Sequence, residues 1–406
     1  MRRDKNHYGW IVTLGCGIIL FYSLGLGMNC FAVFIGPMID TFGLTRTQGS
    51  SVASVLIIGG LLSMPAAGVL IRRFGARRTA FSAGICMAFA FLLFSISRDL
   101  AGCYIAAALF GIGYGAGSLI PVSVLMTNWF DSKRGFALGI ATVGSGISTI
   151  IYPPLIALII ENYGLAAGFR FNFLNMLILS TVAFLLIRDD PRDVLLKPYG
   201  FIEPGAGDTG REPYSSSMKQ AFQLRKYHMI MLAIFLLGLT ITSTVTHISV
   251  VLTAGGHGSV FAAAMVSVFG FSMIVSKPLY GMLIDRFGVL KSTMVAYALL
   301  TFSYVSALLI GKADFASYTF VIFIGLGIPV ASIGFPIWAS ALFGEKHISS
   351  IFPTFQIAFT VGGLIGSILP GLAADLTGSY QTVFWFFMIF LGMSFITARL
   401  AFRDRS

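Results

Sequence analysis

Among 406 residues, one charged side chain stands out by position: Lys277, eight residues before Asp285, inside an otherwise apolar run. At 1.5 Å per residue in a helix, that is about 12 Å from the nearest charged loop. An ammonium at such depth costs several kcal/mol, and no Asp or Glu falls at its level in any apolar run. A substrate carboxylate would serve as its counter-charge; snorkelling, or resting deprotonated against carbonyls, is the alternative. His247 also falls within an apolar run, where it could bond a substrate oxygen, take up a proton near neutral pH, or simply pack. Enzyme chemistry finds no foothold, because these runs hold no paired carboxylates, no His-x-x-x-His pair and no nucleophile beside a base. Cys16, Cys30, Cys86 and Cys103 have no metal-ligand or disulfide spacing and read as small packing residues, so neither a metal nor a cofactor is expected. Gly111, Gly113, Gly115 and Gly117 are spaced like a phosphate loop, but no strand precedes them, and close helix packing explains them better.

The elements that must position these residues follow from composition. Only 11% of the chain is charged and 56% is apolar, before 46 glycines are added. A soluble chain carries about 25% charge, so a soluble globule is excluded. Runs long enough to cross about 30 Å of hydrocarbon occur twelve times. They lie near 9–34, 50–71, 79–96, 102–127, 135–160, 169–187, 229–252, 260–284, 290–310, 316–343, 349–374 and 380–402. Their continuity predicts helices, since barrel strands alternate apolar and polar residues. The first run is too long for a signal peptide and lacks a cleavage site, so it is expected to be retained.

Lys and Arg gather in short cytoplasmic loops. With the N-terminus inside, 22 of the 27 fall on the cytoplasmic side, among them Arg2, Arg3, Lys5, Arg211 and Arg405. Only Arg46, Arg98, Arg170 and Lys312 fall outside, which predicts a multi-pass protein of the cell membrane with both termini cytoplasmic. This asymmetry and anionic inner-leaflet lipid account for the net charge of +11 without a nucleic-acid partner.

Between the sixth and seventh runs, residues 188–226 turn rich in Gly, Pro, Ser and charge and read as a cytoplasmic linker. The segment on one side, 1–187, repeats in the other, 227–406: Gly68-Val-Leu-Ile-Arg-Arg-Phe-Gly75 matches Gly281-Met-Leu-Ile-Asp-Arg-Phe-Gly288 at an offset of 213. The same offset carries Phe130 onto Phe343. The expectation is an all-α polytopic membrane protein, twelve transmembrane helices in two six-helix halves, with a central site served by rocking.

The loop Gly68 to Arg78 resembles the loop signature of the major facilitator superfamily, and Gly281 to Gly288 resembles its second copy. The resemblance spans the whole chain and implies the major facilitator fold. It implies that Gly68, Arg72, Arg73, Gly75, Gly281, Asp285 and Arg286 form gates closing the cytoplasmic side, although Arg72 stands where the first copy would have an acid. A basic loop serving only topology is the alternative for that half. Within the superfamily, Tyr8-Gly9-Trp10, Asn128-Trp129-Phe130 with Lys133-Arg134-Gly135 running on to Gly146, and Ser276-Lys277-Pro278-Leu-Tyr-Gly281 resemble the monocarboxylate transporters and their oxalate/formate exchanger relatives. The drug-antiporter glycine pattern is absent from the fifth run.

In those relatives the position of Lys277 holds the arginine that binds the substrate carboxylate. Lysine keeps the charge but gives a point contact where arginine gives a planar fork. Asn29 stands where the proton-linked animal transporters carry a lysine, Met273 where they carry an aspartate, and Phe359 where the oxalate exchangers carry a second basic residue. By the same alignment Ser145, Ser332 and Gln356 would face the central cavity; close packing is the alternative for both serines. The resemblance therefore implies a monomeric secondary transporter of a small organic anion, a monocarboxylate first, by alternating access. Symport with a proton, antiport of one carboxylate for another, and carriage of a neutral or amphipathic solute remain alternatives.

Overall fold

The computed structural model describes residues 8–201, 217–313 and 315–403. Arg2, Arg3, Lys5, Arg211 and Arg405, placed inside by charge, lie outside the described residues. Among the described residues, twelve helices are long and apolar enough to cross a membrane: Tyr8–Asn29, Arg46–Phe74, Ala76–Ile96, Leu100–Trp129, Arg134–Tyr163, Leu165–Leu186, Arg225–Thr246, Val260–Phe287, Val289–Leu308, Ala316–Phe343, Ile348–Thr377 and Tyr380–Arg403. They are spans one to twelve below. The chain divides into two compact units, Met1–Glu212 and Pro213–Ser406, with six spans in each. The fold is all-α, as the continuous apolar runs require.

Polar residues and glycines punctuate the helices. Thr45 and Gln48 make a reciprocal capping box at the start of span two, and Asp99 accepts the Gly102 N–H at 2.8 Å at the start of span four. Spans two and three meet at Gly75 (φ +86°, ψ 161°), spans eight and nine at Gly288 (φ +82°, ψ 167°). This region is open almost only to glycine.

In the first unit the glycine run of span four is a packing seam. A side chain at Gly111 would strike the Leu56 carbonyl, one at Gly113 the Ala83 carbonyl and one at Gly115 the Gly60 carbonyl, so no larger residue fits. Phe31, Phe34, Phe91, Phe94 and Phe169 stack beside this seam, with Phe34 and Phe169 4.5 Å apart. In the second unit Gly238, Gly362 and Gly366 bring spans seven and eleven to backbone contact.

Several runs expected to be continuous are interrupted. Span one turns from α to π geometry at Phe21–Asn29, and the apolar run then resumes as a separate helix, Ala32–Phe42. Span ten carries a π segment at Val330–Gly334 directly after Pro329, whose ring removes a helical donor. Span four bends at Ser118 (φ −94°, ψ −113°), where its hydroxyl bonds Ser23 Oγ at 2.9 Å. Span seven stops at His247 and a short helix, Ile248–Ala254, follows.

Candidate functional site

Lys277 is buried, 3% exposed, ten residues from the end of span eight and immediately before Pro278. Its neighbours on the helix tie span eight to span ten. Ser276 Oγ donates to the Gly325 carbonyl at 2.8 Å, and the buried Tyr280 hydroxyl lies 3.3 Å from where a Cβ on Gly334 would be. Lys277 lies between these two contacts along span eight, and Ser332, on the π segment, lies between Gly325 and Gly334 along span ten. Ser332 Oγ is buried without a hydrogen bond, an arrangement that costs about 1–3 kcal/mol unless a ligand or water completes it.

Gln356 lies on span eleven with its Nε2 buried and unbonded. Phe359, one turn on, packs against Phe335 of span ten, ring centroids 5.5 Å apart, and is a packing residue on that side. His247 is not inside a continuous helix as the sequence suggests; it closes span seven at a break (φ −112°, ψ 9°). Its Nδ1 lies 3.0 Å from the Ser243 carbonyl and 3.0 Å from Thr246 Oγ1. A carbonyl can only accept, and the Thr246 hydroxyl donates to the carbonyls of Thr242 and Ser243. Nδ1 therefore carries the proton, leaving Nε2 as the acceptor.

Asn29 and Ser145 belong to the first unit. Asn29, exposed at the end of the π segment, donates to Thr149 Oγ1 of span five at 2.9 Å. Ser145 is buried, donates to the Thr142 carbonyl at 2.9 Å and lies where span five presses on Gly25. Both sit on the seam between spans one and five.

The loops implied as gates are alike in geometry. Gly68 and Gly281 are buried; Arg72, Arg73, Asp285 and Arg286 are exposed. The Arg73 guanidinium covers the Phe74 ring at 5.2 Å, and Arg286 covers Phe287 at 5.3 Å, the same contact 213 residues on. They differ in what faces the glycine. At Gly75 stands the Asp189 carboxylate, whose Oδ1 accepts the Arg77 N–H at 2.8 Å; at Gly288 nothing lies within 4 Å of a would-be Cβ. Burial holds the Asp189 carboxyl above its usual range, opposed by the Arg77 and Ala76 N–H groups and the Arg77 charge. Sequence reasoning missed Asp189, since nothing in its spacing links it to Gly75. It also passed over Tyr280, although that residue lies within the quoted Ser276 to Gly281 motif. Among the described residues no group of three or more His, Cys, Asp or Glu is placed to hold a metal ion.

The sequence profile described as Major Facilitator Superfamily matches residues 16–352 and again 230–406. The chain therefore belongs to the major facilitator superfamily, and it is a membrane transporter, not an enzyme. It is similar to Monocarboxylate transporter 13 of Bos taurus, 25% identical over 390 residues, covering 93% of this chain and 85% of that one. It is 30% identical over 161 residues to Monocarboxylate transporter 9 of Mus musculus, a match that spans 39% of this chain and only 31% of that protein's length. A crystal structure of the superfamily transporter FucP in the outward conformation superposes with a TM-score of 0.71 at 17% identity, covering 97% of this chain and 99% of that one. This last likeness is one of fold.

Proposed function

We propose that the protein carries a small organic anion, a monocarboxylate first, across the cell membrane by alternating access, as a monomer, with both termini and the linker on the cytoplasmic side. One observation carries the reading. A cationic side chain, Lys277, is buried deep within an apolar span, next to a proline and one residue from the tie between Ser276 and span ten. A buried ammonium attracts an anion strongly in a medium of low dielectric, and a carboxylate of small size is the organic anion that a single such charge suits. Ser332, with its unsatisfied hydroxyl, is a second contact for the same anion. The named monocarboxylate transporters among its relatives agree with this substrate class.

The test is a thermal-shift screen of the purified protein against carboxylates, sugars and amphipathic cations. A ligand at 100 times its dissociation constant stabilises the folded state by about 2.7 kcal/mol. Stabilisation by monocarboxylates alone supports the reading; stabilisation by sugars or cations and by no carboxylate refutes it.

Coupling has two forms. The anion binds with its own proton or exchanges for another, which suits a span eight with Met273 and no acid nearby in sequence. The second form is proton symport through His247, which stands at the break that ends span seven.

A further inference from the structure

The first unit continues past span six. Residues 187–201 run back across the end at which spans one and three begin, bonding to span three and to the end of span four and touching span one through Trp10. The Tyr8 hydroxyl donates to the Leu186 carbonyl at 3.1 Å, and the Trp129 indole to the Arg188 carbonyl at 2.8 Å. Asn128 Nδ2 donates to the Asp189 carbonyl at 3.0 Å. After a short 3-10 turn at Pro191–Val194, Tyr199 pairs its backbone with the end of span four: its N–H donates to Trp129, and its carbonyl accepts from Asp131 and Ser132 at 3.0 and 3.1 Å. Trp10 stands edge-on to both Phe130 and Tyr199.

The Asp189 side chain is the centre of this strap. It faces Gly75, where a Cβ would come 2.5 Å from its Oδ2, and its Oδ1 holds the Arg77 N–H at the start of span three. A carboxylate at a helix N-terminus is favoured by the helix dipole. The Arg77 guanidinium beside it is fixed by the Phe184 carbonyl at 2.8 Å and the Phe184 ring at 3.9 Å.

The second unit distributes its charges differently along the sequence. Its loop carries Asp285 where the first has Arg72, at the offset of 213. Span twelve runs one residue out of that register: Ser394 bonds Tyr297 Oη at 2.7 Å, while Ser180, which is 214 residues earlier, packs on Gly84, 213 before Tyr297. The counterpart of Asp189 is thus Arg403, or Phe402 in the unshifted register. One unit has its acid in the loop and, in the shifted register, a base as the last residue of its last span; the other has a base in the loop and its acid after its last span.

We propose that residues 187–201 are a strap belonging to the first unit, and that Asp189 is its positioning residue, supplying from behind span six the negative charge that the loop between spans two and three lacks. The strap sets the conformation of that loop and moves with the first unit during the transport cycle. The inference does not depend on which solute is carried.

Hydrogen exchange of the full-length protein in nanodiscs, without added ligand, tests it. Asp189→Asn keeps the shape and an acceptor for Arg77 but removes the charge. The expected result is at least tenfold faster exchange across 72–79 and also at the Asp131, Ser132 and Tyr199 amides, which Asp189 does not touch. Adding Arg72→Asp to Asp189→Asn, which returns an acid to the loop, is expected to bring both regions back to within threefold of wild type. A purely local cap predicts no such recovery, because a carboxylate at position 72, at the end of span two, does not return the charge lost beside the Arg77 N–H. Unchanged exchange in Asp189→Asn, a change confined to Arg77, or no recovery in the double variant overturns the proposal.

Discussion

Gly75 and Gly288 offer a controlled comparison, because the same substitution enters the same backbone conformation with different surroundings. Alanine at either position must adopt a φ above +80°, in a region that costs a non-glycine residue about 1–3 kcal/mol. At Gly288 that is the whole effect, since nothing lies within 4 Å of the new Cβ. At Gly75 the Cβ would sit 2.5 Å from Asp189 Oδ2 and 3.1 Å from Oδ1, so the carboxylate must leave. Its departure forfeits a helix cap, about 0.5–2 kcal/mol. The extra destabilisation of Gly75→Ala over Gly288→Ala is therefore about 0.5–2 kcal/mol. For a unit of roughly 200 residues this corresponds to a melting midpoint lower by about 1–8 °C. Thermal denaturation of both variants in one detergent gives the comparison, and adding Asp189→Gly to each should remove most of the difference. Equal midpoints for the two alanine variants, or a difference that survives Asp189→Gly, would refute the packing described here.

Two further outcomes are expected. Asp285→Asn should move the population toward inward-open forms by about 1–3 kcal/mol, read as cysteine accessibility from each face; unchanged labelling on both faces argues against any latch in this loop. In proteoliposomes with an imposed pH gradient, wild type and His247→Gln should respond alike if the anion brings its own proton or exchanges. If the gradient drives accumulation in wild type alone while counterflow survives in both, His247 carries the proton.

The spans were legible because twenty consecutive apolar residues have few other uses, and the Gly111 to Gly117 run was legible because side-chain-free positions at that density suit helix crossing. The interruptions were not. The π geometry of Phe21–Asn29 and the break at His247 arise within sequences that are uniformly apolar or hydroxyl-rich, where hydrophobicity carries no information about which carbonyl each amide selects. At the site, Lys277 was visible from its depth alone. What ties its helix to span ten, the Ser276–Gly325 bond and the approach of Tyr280 to Gly334, joins residues about fifty positions apart with no local signature. Asp189 was hidden for the same reason. A charged residue in a polar linker looks solvated until the chain is seen to return across span three.

The measurement closest to the central claim is ligand-induced stabilisation and uptake in Lys277→Gln, using whichever monocarboxylate stabilises the wild type in the thermal-shift screen. The substitution keeps a hydrogen-bonding side chain of similar length on span eight and removes the charge. The account predicts a folded protein whose stabilisation by that carboxylate, about 2.7 kcal/mol at 100 times the wild-type dissociation constant, is lost together with transport. Lys277→Arg should retain both in part, with an altered ranking among carboxylates, because a planar fork replaces a point charge. A Lys277→Gln protein that is stabilised by the same carboxylate and transports it at the wild-type rate would contradict the assignment of Lys277 as the anion contact.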